Sequence, residues 1–307
     1  MNGEQITDAI ARQAWAMPVE DALQKAVSGA FKAGGKTGKN VEDALHGTWL
    51  GHPLHPVLTD VPLGAWTVAA ALDLIEAGTG RTNLARGADA AIAIGLIGAA
   101  GAAVTGLTDW HDTDNGSDDT ARRIGLAHGL LNLTATALYT TSWILRRRRQ
   151  RGAARAFGLF GYTVVVAAAY LGGTLVYGKK IGTDHTDREA LPQEFIPVLA
   201  ADKLLENTPT RVDAKGSPVV LVRQGEHIYA LAETCSHLGG PLSEGTVEGA
   251  SIRCPWHGSR FALEDGRVLD SPATFPQPCL EARVRDGQIE VGIRKSAGTG
   301  KSAAIKG

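Results

Sequence analysis

Four residues carry a donor set suited to a metal: Cys235 and His237 in "ETCSHLGGPL", then Cys254 and His257 in "CPWHGSRF". Cys-x-His is followed, after sixteen residues, by Cys-x-x-His, so each of two turns offers one thiolate and one imidazole. A tetrahedral zinc ion takes such donors together, and an iron–sulfur cluster takes cysteine on one iron and histidine on the other. Gly239, Gly240, Gly245 and Gly258 flank the donors. They let backbone N–H groups approach sulfur, and hydrogen bonds of that kind tune a metal site. The third cysteine, Cys279 in "PQPCLEARV", has no pairing partner and reads as a small buried apolar residue on a strand.

Two donor turns need a rigid support. After Glu194 the apolar pattern takes period two in "PVVLVRQ", "HIYALAE", "SIRC", "SRFALED" and "LEARVRDGQIEVGI", with glycine-bearing turns between, which predicts a small antiparallel β domain over 190–295. Residues 296–307 read as a flexible tail. Their "GTGKS" is no phosphate loop, because Lys295 stands where that pattern needs glycine and no strand-to-helix context surrounds it.

Upstream the composition changes. The chain of 307 residues is 44% hydrophobic with a net charge of -1, but its apolar residues crowd between 57 and 178. Uncharged runs over 90–108, 124–145 (interrupted by His128) and 156–178 each approach the ~20 residues that cross a bilayer. An earlier stretch, 57–77, contains Asp60, Asp73 and Glu76, so it is either a fourth span or a re-entrant segment. The spans are rich in Ala and Gly, which let helices approach closely. The expected fold is multidomain: an α-helical transmembrane bundle of about four spans over 51–180, followed by an all-β domain. Residues 1–50 lack a basic start followed by an apolar run, so no cleavable signal is expected. Their helical spacing (Ile6, Ile10; Val19, Leu23, Val27, Phe31) predicts an amphipathic region against the bundle or the membrane interface, with Trp15 and Trp49 as anchors.

Cytoplasmic loops retain Lys and Arg. The loops after the first and third segments carry Arg81, Arg86, Arg146 to Arg149, Arg151 and Arg155, eight against five on the other face, so the β domain is expected to face outward. Lying between two spans, the run "RRRR" sets topology and is not a nucleic-acid patch.

The motifs "CSHLGGPL" and "CPWHGSRF" resemble those of the Rieske family, over about residues 194–294. The resemblance implies the family fold and a [2Fe-2S] cluster, with Cys235 and Cys254 as thiolate ligands and His237 and His257 as imidazole ligands. High-potential members link the two loops by a disulfide, and Gly240 and Trp256 hold the matching positions here. Ser259 stands where those members hydrogen-bond a sulfide, while Phe261 replaces their tyrosine. The resemblance is therefore to ferredoxin-type members of low to intermediate potential.

The stretch "GHPLHPVLTDVPLGAW" at 51–66, with "TDWHD" at 108–112, resembles an uncharacterised family of bacterial four-helix membrane proteins. That implies a multi-pass protein of the bacterial cytoplasmic membrane and brings no activity. With four spans, His52, His55, His111, His128 and His185 fall toward one side, joined by Asp60 and Asp109. A partnership of His128 with His55 or His111 would suit haem b or a quinone. The expected function is membrane-anchored electron transfer, exchanging electrons with a partner protein, a quinone or a haem in the bundle. Only some fifty residues follow His257, too few for a catalytic iron domain, so the chain reads as a component of an oxidoreductase system and not a complete enzyme. A redox sensor, in which cluster state controls the bundle, is the alternative.

Overall fold

The computed structural model describes residues 3–113 and 119–293 and divides the chain into two compact units, Met1–Thr183 and Asp184–Gly307. The expected tail, 296–307, lies outside the described residues.

The first unit is helical: α1 (Gly3–Ala11), α2 (Ala16–Ala33), α3 (Gly35–His46), α4 (Leu54–Thr79), α5 (Ala85–His111), α6 (Asp119–Arg147) and α7 (Arg151–Gly173), the last running on into a π-helical turn over Thr174–Gly178. Helix α4 packs along α5, and α6 along α7. The unit is built inside out. The face that α5 buries is Ala88, Ala91, Ile92, Gly95, Gly98, Ala102 and Thr105, mostly small, whereas Ile94, Ile97, Val104 and Leu107 point outward, Ile97 at 76% exposure. Leu133 and Phe160 are likewise exposed. Small residues let helices approach while bulky ones cover the outside, the arrangement a bilayer favours. Trp66 of α4 stacks on Tyr139 of α6 at 4.1 Å between centroids, and both rings are buried.

Among the described residues, three helices are long and apolar enough to cross a membrane: Leu54–Thr79, Thr82–His111 and Arg151–Gly178. The segment that looked interrupted is thus a continuous helix. Its charges are absorbed, since Asp73 is paired with Arg146, and Glu76 accepts from Arg151 (2.9 Å) and Arg155 (2.8 Å). Asp89 of α5 joins them through Arg146 (2.9 Å) and Arg151 (3.1 Å). Part of the arginine-rich run therefore holds the bundle together, while Arg147, Arg148 and Arg149 stay exposed. Helix α6 has the length, 29 residues, but is the least apolar of the four. The hydroxyls of Thr134, Thr136, Thr140 and Thr141 each donate to a carbonyl one turn earlier, which satisfies them within the helix.

Helix α2 turns its polar face to the bundle. Glu20 and Gln24 are buried, while Met17, Val19 and Leu23 point outward and Trp15 and Trp49 are 61% and 69% exposed. The polar face serves the bundle: Gln24 Nε2 donates to the Trp110 carbonyl (3.0 Å), Asp21 pairs with Arg122, and Glu20 lies 3.9 Å from Arg123.

The second unit is all-β. One sheet orders its strands β1 (Ile196–Ala200), β10 (Gln288–Gly292), β9 (Cys279–Arg285), β4 (His227–Ala232), β3 (Ser217–Gln224) and β2 (Thr210–Ala214). A second, four-stranded sheet runs β5 (Thr246–Glu248), β6 (Ser251–Arg253), β7 (Arg260–Ala262) and β8 (Val268–Asp270). All registered pairs are antiparallel. The run "VVLV" explains the layering. Val219 and Leu221 enter one core with Ala230, Ile289 and Val291, whereas Val220 and Val222 enter another with Leu231, Ile252, Phe261, Cys235 and Cys254. A strand buried on both faces reads as a continuous apolar run, and here it separates the general core from the one that carries the thiols.

Candidate metal centre

Cys235 and His237 lie in the turn that leaves β4, and Cys254 and His257 in the turn that joins β6 to β7. The first turn is closed by local bonds: Gly239 N–H donates to the Cys235 carbonyl (2.9 Å), Cys235 N–H to the Gly240 carbonyl (2.8 Å), and Leu242 N–H to the Glu233 carbonyl (3.0 Å). The Glu233 carboxylate accepts from Ser243 Oγ (2.5 Å) and from Ser243 N–H, closing the same turn from its other end. The second turn repeats the device, with Gly258 N–H on the Cys254 carbonyl (3.2 Å) and Cys254 N–H on the Ser259 carbonyl (2.8 Å).

These turns bring the four donors together. Both thiols are buried and hydrogen-bonded to one another, and the rings of His237 and His257 meet edge to face at 5.0 Å between centroids, half-buried at the surface. Backbone N–H groups of His237 and Leu238 point at Cys235 sulfur, and those of Trp256 and His257 at Cys254 sulfur. The Cys254 thiol is drawn down to about 7 by the hydrogen bond from Cys235 and by the two backbone groups. Cys235, which gives that hydrogen bond from a buried position, is pushed up. The pocket thus favours the anionic form, the form that binds metal, at Cys254. Gly240 makes the approach possible, because a Cβ there would stand 2.8 Å from Cys254 sulfur and 3.1 Å from the Trp256 ring. The two positions that a loop-linking disulfide would occupy are therefore in contact, and neither is cysteine. The donor set and its amide cradle fit a cluster with two thiolate and two imidazole ligands.

Around the donors, Ser259 is buried and its Oγ accepts from Ala273 N–H (3.0 Å), which leaves the hydroxyl proton as a donor. Phe261, fully buried, packs in the core that holds both thiols. Cys279 lies partly buried at the start of β9, its thiol pushed up to about 11 by burial, in keeping with an inert packing role.

One positioning residue escaped the sequence. Gln277 is 1% exposed, and its amide donates to the carbonyls of Ala232 and Thr234 (2.7 Å each) while accepting from Ser236 N–H (3.0 Å). It staples the first turn between its two ligand candidates, and nothing in "FPQPC" marks it. Gln277→Ala strands three buried groups at about 1–3 kcal/mol each. It is expected to lower iron bound per chain and the thermal midpoint of the β unit. Unchanged values in iron analysis and calorimetry would show that the turn is held without it.

In the helical unit the histidines separate into different settings. His55 and His128 pair, with ring centroids 6.5 Å apart at 89°. Their Nδ1 atoms bond the carbonyls of Ala102 (2.9 Å) and Ala168 (2.8 Å), and Asn132 Nδ2 lies 3.1 Å from His128 Nε2. Gly106 and Gly172 give the rings room, since a Cβ would stand 2.6 Å and 3.0 Å from their Cε1 atoms. His111 does not join them. It turns to α3, where Glu42 and His46 meet it together with Asp112, and Asp109 bonds His46. His52 bonds the Pro53 carbonyl beside it, Asp60 is exposed, and His185 belongs to the second unit, where its N–H donates to the Ser236 carbonyl (3.1 Å).

Comparison with known proteins agrees with this geometry. Residues 194–281 match the Rieske [2Fe-2S] domain, and the chain belongs to that family; residues 51–185 match DUF2231, a predicted membrane protein family. Ferredoxin CarAc of Metapseudomonas resinovorans is 36% identical over 104 residues, 34% of this chain and 97% of that protein. The anthranilate 1,2-dioxygenase ferredoxin subunit of Burkholderia cepacia is 33% identical over 105 residues, 34% of this chain and 97% of its own. Among solved structures, the ferredoxin of carbazole 1,9a-dioxygenase from Nocardioides aromaticivorans IC177 is 29% identical, covering 33% of this chain and 100% of its own, with a TM-score of 0.32. The second unit is accordingly a ferredoxin-type Rieske electron-transfer domain.

Proposed function

We propose that Cys235 and Cys254 hold one iron of a [2Fe-2S] cluster and His237 and His257 the other, and that the chain is a membrane-anchored one-electron carrier. The convergence of two buried thiols and two half-exposed imidazoles in one amide-lined pocket supports this reading. A bound cluster supplies reversible one-electron chemistry, and imidazole ligation raises its potential above that of all-thiolate clusters. Backbone N–H groups stabilise the thiolates, and Ser259 offers a hydroxyl donor. The two imidazoles reach the surface and form the edge through which a partner exchanges electrons, with Trp256, 44% exposed, as an apolar contact beside them. One of these relatives is a ferredoxin by name and the other a dioxygenase ferredoxin subunit, so the partner class we assign is an oxidoreductase protein.

The helical unit anchors the carrier in the membrane. The exposed Arg147, Arg148 and Arg149 mark the cytoplasmic face in this reading, which sets the β unit outside. The His55 and His128 pair is its candidate for a second redox group, haem b or quinone. Their bonded Nδ1 atoms fix both rings; a ligand would take Nε2 of His55, and at His128 it would displace the Asn132 amide from Nε2.

An optical and electron paramagnetic resonance spectrum of the purified full-length protein tests the proposal. A rhombic signal on reduction, of the Rieske type and with g-values distinct from all-cysteine clusters, is expected. Its absence from protein that contains iron and sulfide would sink the assignment. A Soret band that disappears in His128→Ala would identify haem, and extraction of a quinone by organic solvent would identify the other group; neither in pure protein would make the bundle an anchor alone.

A further inference from the structure

The cluster at the junction of α3 and α5 has the anatomy of a second metal site. Glu42 and His46 lie four residues apart and so share one face of α3, while His111 and Asp112 end α5. One ligand atom from each of the four lies within 4.8 Å of all the others. The individual separations are 3.1 Å from His46 Nε2 to Asp112 Oδ2, 3.3 Å from His111 Nε2 to Asp112 Oδ1, and 3.4 Å from His111 Nε2 to Glu42 Oε1. Ligands about 2.0–2.1 Å from a tetrahedral ion stand about 3.3–3.4 Å apart; these three separations are already close to that, and the other pairs, within 4.8 Å, close on an ion by small side-chain shifts.

The wiring of the rings points the same way. His46 Nδ1 bonds the Asp109 carboxylate (3.0 Å), and His111 Nδ1 bonds the Thr108 carbonyl (2.5 Å). Each ring thus has its Nδ1 engaged by an oxygen and its Nε2 aimed into the cluster, as metal-binding histidines are arranged. Lys39 holds the second oxygen of Glu42 at 3.0 Å, which orients the first. An independent observation comes from satisfaction: His46 is 3% exposed, and its Nε2 and the Asp112 Oδ2 that faces it are both buried and make no hydrogen bond despite their closeness. Buried polar atoms are nearly always bonded. Two that converge without bonding are accounted for by a ligand between them.

We propose that Glu42, His46, His111 and Asp112 bind one divalent first-row transition-metal ion, with zinc the best match to two imidazoles and two carboxylates. The ion ties α3 of the N-terminal segment to the end of α5, so it is a structural clasp outside the Rieske centre.

The test uses the full chain in detergent, incubated with zinc and desalted, with metals counted per chain and the zinc environment read by X-ray absorption. About one zinc per chain in an all nitrogen-and-oxygen shell is expected, beside the iron of the cluster. His46→Ala and the milder Glu42→Gln should each lose that zinc while keeping the cluster spectrum, and Asp109→Asn should weaken binding about 10–100-fold. Zinc should raise the thermal midpoint of the wild-type protein and not that of Glu42→Gln. Sulfur in the zinc shell would place the ion at Cys235 and Cys254 and overturn the proposal. So would wild-type protein that retains no metal beyond its cluster, or zinc content unchanged in both variants.

Discussion

His237→Cys is expected to retain a [2Fe-2S] cluster but to lower its midpoint potential by on the order of 100 mV or more, toward the all-thiolate range near about −400 mV. The sign follows from charge. A neutral imidazole at the cluster edge is replaced by an anionic thiolate, which favours the oxidised state and makes an added electron harder to hold. The geometry permits the exchange, because His237 is half-buried beside His257 and the shorter side chain leaves the Cys235 and Cys254 pocket intact. Redox titration followed by paramagnetic resonance is the measurement. A cluster with unchanged potential and g-values would mean that His237 is not a ligand.

Arg146→Leu should be the most damaging single change in the helical unit. Arg146 and Asp73 are each 2% exposed at the side chain and are paired, with Asp89 on the second guanidinium nitrogen and Arg151 only at 3.9 Å from Asp73. Removing the arginine leaves a carboxylate in an apolar setting without an adequate partner, which costs about 3–5 kcal/mol. The double variant Arg146→Leu, Asp73→Leu removes both charges and should recover most of the loss, since well-packed apolar replacements of buried pairs are often neutral. Unfolding in mixed detergent, followed by helical circular dichroism, distinguishes the cases. If the double variant were as unstable as the single one, packing volume and not the stranded charge would be responsible.

The β unit was legible because its short apolar runs are set off by glycine-bearing turns and its donors are rare residue types at fixed spacing. Strands β3, β4, β6, β7, β9 and β10 fall on the segments that the sequence singled out, the three-residue β6 and β7 because each adjoins the second donor turn, while β1, β2, β5 and β8 lie outside those segments. In the helical unit hydropathy found the spans but ranked them poorly. Asp73 and Glu76 counted against α4 because their arginine partners lie some seventy residues away, and α6 counted as secure although its hydroxyls make it the most polar of the four. Pairing across such distances leaves no local mark. The same limit hid Glu42 and His46, which are an ordinary surface pair on α3 until α5 delivers His111 and Asp112. It also misdirected the reading of His111, which lies at matching depth to His128 in sequence but bonds elsewhere.

The inverted faces of α2 give the N-terminal segment the part that solvent plays for a soluble helix end. The end of α5 and the start of α6 present a carbonyl at Trp110 and guanidinium groups at Arg122 and Arg123, and Gln24, Asp21 and Glu20 answer them from α2. The same helix turns Met17, Val19 and Leu23 outward, beside the exposed Lys25 and Lys32. Helix ends otherwise need water or caps to satisfy their last carbonyls. Here the chain carries part of its own hydration shell in covalent form, so this end of the bundle leans less on water than a bare helix end would.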